Sequence, residues 1–262
     1  MTRPRETAGS NRTGVHPPAT SLSAEFALAF TSFVRLLAAA CGLLFACIAA
    51  PLSSSAQSPA APGSRFVVVL DAAHGGDDSG AQLGSGATQP EKAFTLALSF
   101  RLRSLLAARG IVVVTTRESD AALDSDRRAE IANRARAQAC ISLHASLGGT
   151  GLHLYTSSLA PAEPARITAW KTAQAAWVTR SLALAGDLNA ALTHAGIPVS
   201  LGRTALPGMD SMACPAVAVE VAPLAASSRT QAAALGDPAY QTRVANALAA
   251  ALVQWRAEAP QP

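Results

Sequence analysis

Four side chains in this sequence have types and settings suited to hydrolytic chemistry. His74 lies in LDAAHGGDDSGA, directly after a β-branched run, and the glycines around it allow the backbone to turn tightly about the imidazole. His144 follows the apolar run CISL, Glu220 stands near the end of the otherwise apolar PAVAVEV, and Glu91 follows Pro90 at the start of an amphipathic stretch. Two imidazoles and a carboxylate form the donor set of an open catalytic zinc site, with the fourth position left for water. A further carboxylate without a metal bond is then free to move protons. On this reading His74, Glu91 and His144 are the metal ligands and Glu220 is the catalytic acid–base group. Taken singly, each residue has a plainer explanation. A strand-end histidine is commonly hydrogen-bonded for structure, a glutamate in a first helical turn complements the helix dipole, and Glu220 in VAVEV is costly to bury unpaired.

The elements that must position these residues alternate along the chain. Residues 65–70 (RFVVVL) form a continuous β-branched run, the pattern of a strand covered on both faces. Residues 90–109 place Phe94, Leu98, Leu102, Leu105 and Leu106 on one helical face, closed by Gly110. A strand over 111–116, a helix over 126–138, strands over 140–143 and 151–155, one long or two shorter helices over 167–195, a strand over 215–221 and a terminal helix over 238–255 complete the series. That order predicts an α/β fold: a single domain, 65–258, with a largely parallel central sheet flanked by helices and the zinc site at the strand carboxyl ends.

The N-terminal segment has a different character. The chain of 262 residues is 50% hydrophobic and 15% charged, with a formal net charge of +4, and its mean hydropathy of +0.24 is high for a soluble protein. Much of the apolar excess lies in 26–50, where the uninterrupted run, 36–50, is short for a membrane span, which needs about 20 residues. Ser54 and Ala56 supply small side chains for a signal peptidase, so 1–56 reads as a leader and secretory signal cleaved after Ala56, with 57–64 as linker. The long polar leader suggests a true start at Val34, read from a GTG codon. A cytoplasmic tail before an anchor helix and lipidation at Cys47 are the other readings. Removing 1–56 takes away four arginines and two glutamates and halves the net charge, which argues against a nucleic-acid partner.

The glycine-rich loop fits neither G-x-G-x-x-G nor the phosphate-binding P-loop, and Ser85 between Gly84 and Gly86 follows no strand, so nucleotide binding and a serine nucleophile elbow are excluded. Taken in order, LDAAHGGDDSGA, Glu91-Lys92 opening a helix, GIVVVTTRESD, RRAEIANRARAQACISLHAS and PAVAVEVAPL resemble the successive motifs of the zinc-dependent N-acetylmuramoyl-L-alanine amidases of the cell-wall amidase 3 type. The resemblance covers residues 66–255. It implies one Zn²⁺ on His74, Glu91 and His144, catalysis by Glu220, and cleavage of the amide between N-acetylmuramic acid and L-alanine in peptidoglycan by an exported, periplasmic or wall-associated enzyme. A protein activator is a candidate further partner. Three departures stand out: Ala73 replaces the glycine of Asp-x-Gly-His, Ser146 replaces the asparagine of His-Ala-Asn, and 222–226 (APLAA) replaces the ending after the catalytic glutamate. The alternatives are a non-catalytic wall-binding or regulatory protein on the same fold, and an exported zinc peptidase.

Other residues receive structural readings. Cys140 and Cys214 each begin an apolar strand-like run, so buried free thiols are expected, with a disulfide between them in an oxidising compartment as the alternative. His153 and His194 are expected to lack ligand-like partners. Trp170 and Trp177 are expected in the core, with 171–191 as an alternative lid. Arg127, Arg128, Arg134 and Arg136 are expected on a solvated helix face, and Asn133 in a structural hydrogen bond of unassigned partner.

Overall fold

The computed structural model describes residues 65–84, 89–163, 169–227 and 231–258. The expectations for the leader, the signal, the Val34 start, Cys47 and the linker fall outside these residues. Among those described, no helix is long and apolar enough to cross a membrane.

A six-stranded sheet is built from β1 (Val67–Ala72), β4 (Val112–Thr115), β5 (Ala139–Ala145), β6 (Leu152–Ser157), β7 (Val199–Thr204) and β8 (Ala216–Val221), in the order β4-β1-β5-β8-β6-β7. The first four neighbours run parallel, β6 is antiparallel to β8, and β7 is parallel to β6. The predicted largely parallel sheet is therefore present, with two reversed strands at one side. A short ribbon, β2 (Gln82–Leu83) with β3 (Gln89–Pro90), precedes helix α1 (Glu91–Ala107).

Both faces of the sheet are covered, which is why its central strands are apolar without alternation. On one face α1, α3 (Val178–His194) and α4 (Pro238–Glu258) enclose the larger core, including Leu70, Ile141, Leu143, Val219, Leu102, Leu188 and Leu248. Each such fully buried leucine contributes about 1.5–3 kcal/mol of transfer free energy. On the other face α2 (Ser125–Ala135) packs Ala129 and Ala132 with Val69, Ala218, Met209 and Met212. Asp124 caps α2, its side chain accepting from the Arg127 N–H at 2.7 Å.

Several expectations need correction. Cys140 and Cys214 are not free thiols: they form a disulfide with their Cα atoms 6.2 Å apart. The sequence places them 74 residues apart, but Cys140 lies on β5 and Cys214 just before β8, its parallel neighbour. Trp170 is not core; it is 43% exposed on a 3-10 helix, Trp170–Ala176. The 171–191 segment is not a lid either, because α3 buries Val178, Leu184, Leu188 and Leu192. Arg128 is buried rather than solvated and pairs with Asp71 at 2.7 Å. Asn133 finds its partners in the Ser211 carbonyl (3.0 Å) and the Ala213 N–H (2.6 Å).

Candidate metal centre and acid–base pair

The loop after β1 begins with a costly conformation. His74 has φ +62°, unusual for a residue with a Cβ, and the loop closes against α1 through Gly80 (φ +63°). A Cβ at Gly80 would lie 2.6 Å from His74 Cδ2 and 2.7 Å from Glu91 Oε2, so only glycine lets the chain pass this close. The first turn of α1 has no side-chain cap; instead the N–H groups of Glu91 and Lys92 donate to the carbonyls of Ala81 (2.8 Å) and Ser79 (3.1 Å). This leaves the Glu91 side chain free to turn toward the histidines. Lys92 fastens the loop from outside, donating to the Gly76 carbonyl and to Asp120.

Three of the four predicted site residues meet around one point. His74 Nε2 lies 3.1 Å from Glu91 Oε2, and His144 Nδ1 lies 3.2 Å from Glu91 Oε1. One ligand atom from each of the three residues lies within 4.8 Å of the others. Glu91 is buried, and its oxygens accept from the N–H groups of Ala145 and Ala81, both at 3.0 Å. Burial pulls its carboxyl upward, but the hydrogen bonds from His144, Ala145 and Ala81 and the neighbouring His74 prevail and hold it at about 2. The donor set fits a divalent cation: one permanently ionised carboxylate and two imidazoles. His74 Nδ1 lies 2.8 Å from Asp78 Oδ2; an ionised carboxylate only accepts, so this contact places a hydrogen on Nδ1 and leaves Nε2 as the nitrogen that can face a cation. That same hydrogen bond is the main cause of the lowered Asp78 carboxyl.

Buried arginines hold the frame behind these three side chains. Arg128 donates to Asp71 Oδ1 and to the carbonyls of Ala72 and His74, all at 2.7 Å. Arg117 donates to the carbonyls of Ala72, Ala73 and Lys92. Asp71 also accepts from Ser142 Oγ at 2.8 Å, which ties β1 to β5 just below His144. A cavity of about 260 Å³ opens beside His74 and His144, with Asp71, Ser142 and Arg128 among its lining residues.

Glu220 is not among the three residues that converge. In the sheet register it lies beside His144 on β5 and beside His153 on β6. His153 is not without a partner, as the sequence suggested: its Nδ1 lies 3.1 Å from Glu220 Oε1. The cost expected for an unpaired carboxylate in VAVEV is removed by that contact and by partial exposure of the Glu220 side chain, at 30%. His153 is the second residue of a reversed strand rather than the carboxyl end of a parallel one, so its place beside Glu220 is not visible without the strand order. The available signal was alternation: Leu152 and Leu154 are buried in the larger core, and His153 and Tyr155 point to the other face.

An α/β domain that gathers two imidazoles and a carboxylate, with a separate carboxylate on the adjacent strand, has the donor chemistry of the metal-assisted hydrolases. Residues 68–254 match the Amidase_3 family, N-acetylmuramoyl-L-alanine amidase, and the chain belongs to that family. It is 33% identical over 196 residues to N-acetylmuramoyl-L-alanine amidase Rv3717 of Mycobacterium tuberculosis, a match spanning 66% of this chain and 80% of that one. The catalytic domain of the amidase CwlV from Bacillus (Paenibacillus) polymyxa var. colistinus superposes with a TM-score of 0.57 at 25% identity, covering 73% of this chain and 98% of that domain. The amidase Ami1 of Mycobacterium smegmatis shares the fold, with a TM-score of 0.55 at 24% identity over 72% of this chain and 96% of that one.

Proposed function

We propose that this amidase is exported and uses zinc to hydrolyse the amide between the lactyl carbonyl of N-acetylmuramic acid and L-alanine in peptidoglycan. The observation that carries the reading is the convergence of His74, Glu91 and His144 within 4.8 Å, together with Glu220 on the neighbouring strand. Zn²⁺ held by those three residues would supply Lewis acidity, activating water near neutral pH and polarising the amide carbonyl. Glu220 accepts a proton from the attacking water and delivers it to the departing amine nitrogen of L-alanine, which restores its carboxylate. Asp78 keeps the His74 ring in its ligating tautomer, and Glu91, ionised throughout, supplies the negative charge that offsets the cation.

The departures from the family motif leave these four side chains in place. Ala73 is buried beneath the loop, and its carbonyl accepts from Thr95 and Arg117. Ser146 Oγ accepts from the Gly148 N–H at 2.9 Å and folds the loop that follows His144. Export is supported by the apolar segment and small-residue site in 36–56 and by the extracytoplasmic position of the substrate. A partner protein is a further element of the reading: one neighbour by fold, the CwlD amidase from Clostridioides difficile, is described in complex with the GerS lipoprotein. The test is incubation of the full chain with purified peptidoglycan, with and without a chelator, followed by mass analysis. Free stem peptides beginning at L-alanine, lost on chelation and restored by zinc, are expected. Peptides cut within the stem would show a peptidase instead, and zinc binding without release would show a non-catalytic wall protein.

A further inference from the structure

We propose that His153 is a positioning residue for Glu220, holding one carboxylate oxygen so that the other is presented to the reacting water and amine. The inference rests on Glu220 being the acid–base group. Three features carry it. First, β6 runs antiparallel to β8, so the beginning of β6 lies beside the end of β8 and His153 pairs in register with Glu220. Second, the contact is direct: His153 Nδ1 lies 3.1 Å from Glu220 Oε1, with the two side chains 16% and 30% exposed. An ionised carboxylate only accepts, so Nδ1 carries the hydrogen. The other carboxylate oxygen has no partner among the described residues.

Third, the pair is built into a rigid frame. Gly149 (φ +77°) backs the imidazole, and a Cβ there would lie 2.3 Å from its Cε1 and 2.4 Å from its Nε2. The loop between His144 and His153 is therefore shaped around this ring. The strand ends are tied by Gly151 N–H to the Pro223 carbonyl (3.1 Å) and Ala222 N–H to the Gly151 carbonyl (2.9 Å). Tyr240 donates its hydroxyl to the Ala222 carbonyl at 2.8 Å. A glutamate on an open strand end samples several rotamers, and a proton acceptor must lie within about 3.2 Å of the proton it takes. Fixing one oxygen removes that search. During turnover His153 keeps its own proton, while the proton from water passes through the free oxygen of Glu220 to the amine.

The test measures kcat and KM separately for the zinc-loaded full chain on a soluble muramyl-peptide fragment. His153→Phe keeps the ring shape without a donor, His153→Asn restores an N–H near the position of Nδ1, and His153→Gln moves the donor toward the position of Nε2. The inference predicts that His153→Phe and His153→Gln lose roughly 10- to 100-fold in kcat, the scale of a lost orienting contact. KM and zinc content are unchanged, and His153→Asn recovers most of the loss. Wild-type kcat in His153→Phe or His153→Gln, or an equal loss in His153→Asn, would overturn it. His153→Gln keeps the polarity of the site, so the comparison with His153→Asn stands even if His153→Phe does not fold. Full turnover in Glu220→Gln alone would instead overturn the acid–base reading beneath it.

Discussion

His74 and Glu91 are held by a loop and a helix start whose backbone groups are tied to each other, whereas Glu220 and His153 are held by the register of two strands. On the first side nearly every polar atom has a fixed partner: Glu91 takes two N–H groups and two imidazoles, and His74 is oriented by Asp78. On the second side Glu220 has one side-chain partner and is 30% exposed. The difference matches the two tasks proposed for these groups. A cation site needs donors fixed around one point, whereas a group that carries a proton between two partners needs one anchored oxygen and one free.

The largest effect belongs to the ligand side: His74→Ala should lose both zinc and turnover, falling to the activity of the chelated protein, as metal analysis and peptide release would show. Arg128→Met comes next, because it leaves Asp71 buried beside Ser142 and Thr116 without its cation. Loss of one partner of a buried pair costs about 3–5 kcal/mol, measurable by denaturant unfolding, and zinc affinity should fall with it because Arg128 also holds the His74 carbonyl.

The disulfide tests the opposite end of the sheet. It joins residues at the start of β5 and before β8, with the site residues at the far ends of those strands. Replacing both cysteines by alanine should cost about 2–4 kcal/mol, with kcat at 25 °C unchanged. The smallest effect is at Tyr240, whose buried phenol is raised to about 12 by desolvation. The unfolded phenol ionises near 10, so this contribution to stability is intact below pH 10 and is lost as pH rises toward 12. Tyr240→Phe should lose about 1 kcal/mol at neutral pH and flatten the decline in melting temperature between pH 10 and 12.

Much of this architecture was legible in the chain, for physical reasons that also explain the gaps. Runs such as FVVVL and AVAVE read as strands because both faces of a parallel sheet are buried. The edge strand β7 was passed over because it is mostly exposed and VSLGRT has no apolar pattern. His74, Glu91, His144 and Glu220 were visible as candidates because they sit at element ends, where polar residues interrupt apolar runs. Strand order was not visible, and that hid two contacts: the Cys140–Cys214 bridge across β5 and β8, and the His153–Glu220 pair across β8 and β6. Arg128 was concealed by its charged neighbours on α2, since an arginine among arginines reads as solvated until Asp71 is placed beneath it.

The most direct test of the central claim separates the two halves of the site with one substitution. Glu220→Gln keeps the shape of the side chain and removes its basicity. It should retain the zinc content of the wild-type chain while releasing no stem peptides from peptidoglycan. Release at the wild-type rate, or loss of zinc from this variant, would contradict the division into three ligands and a separate acid–base group.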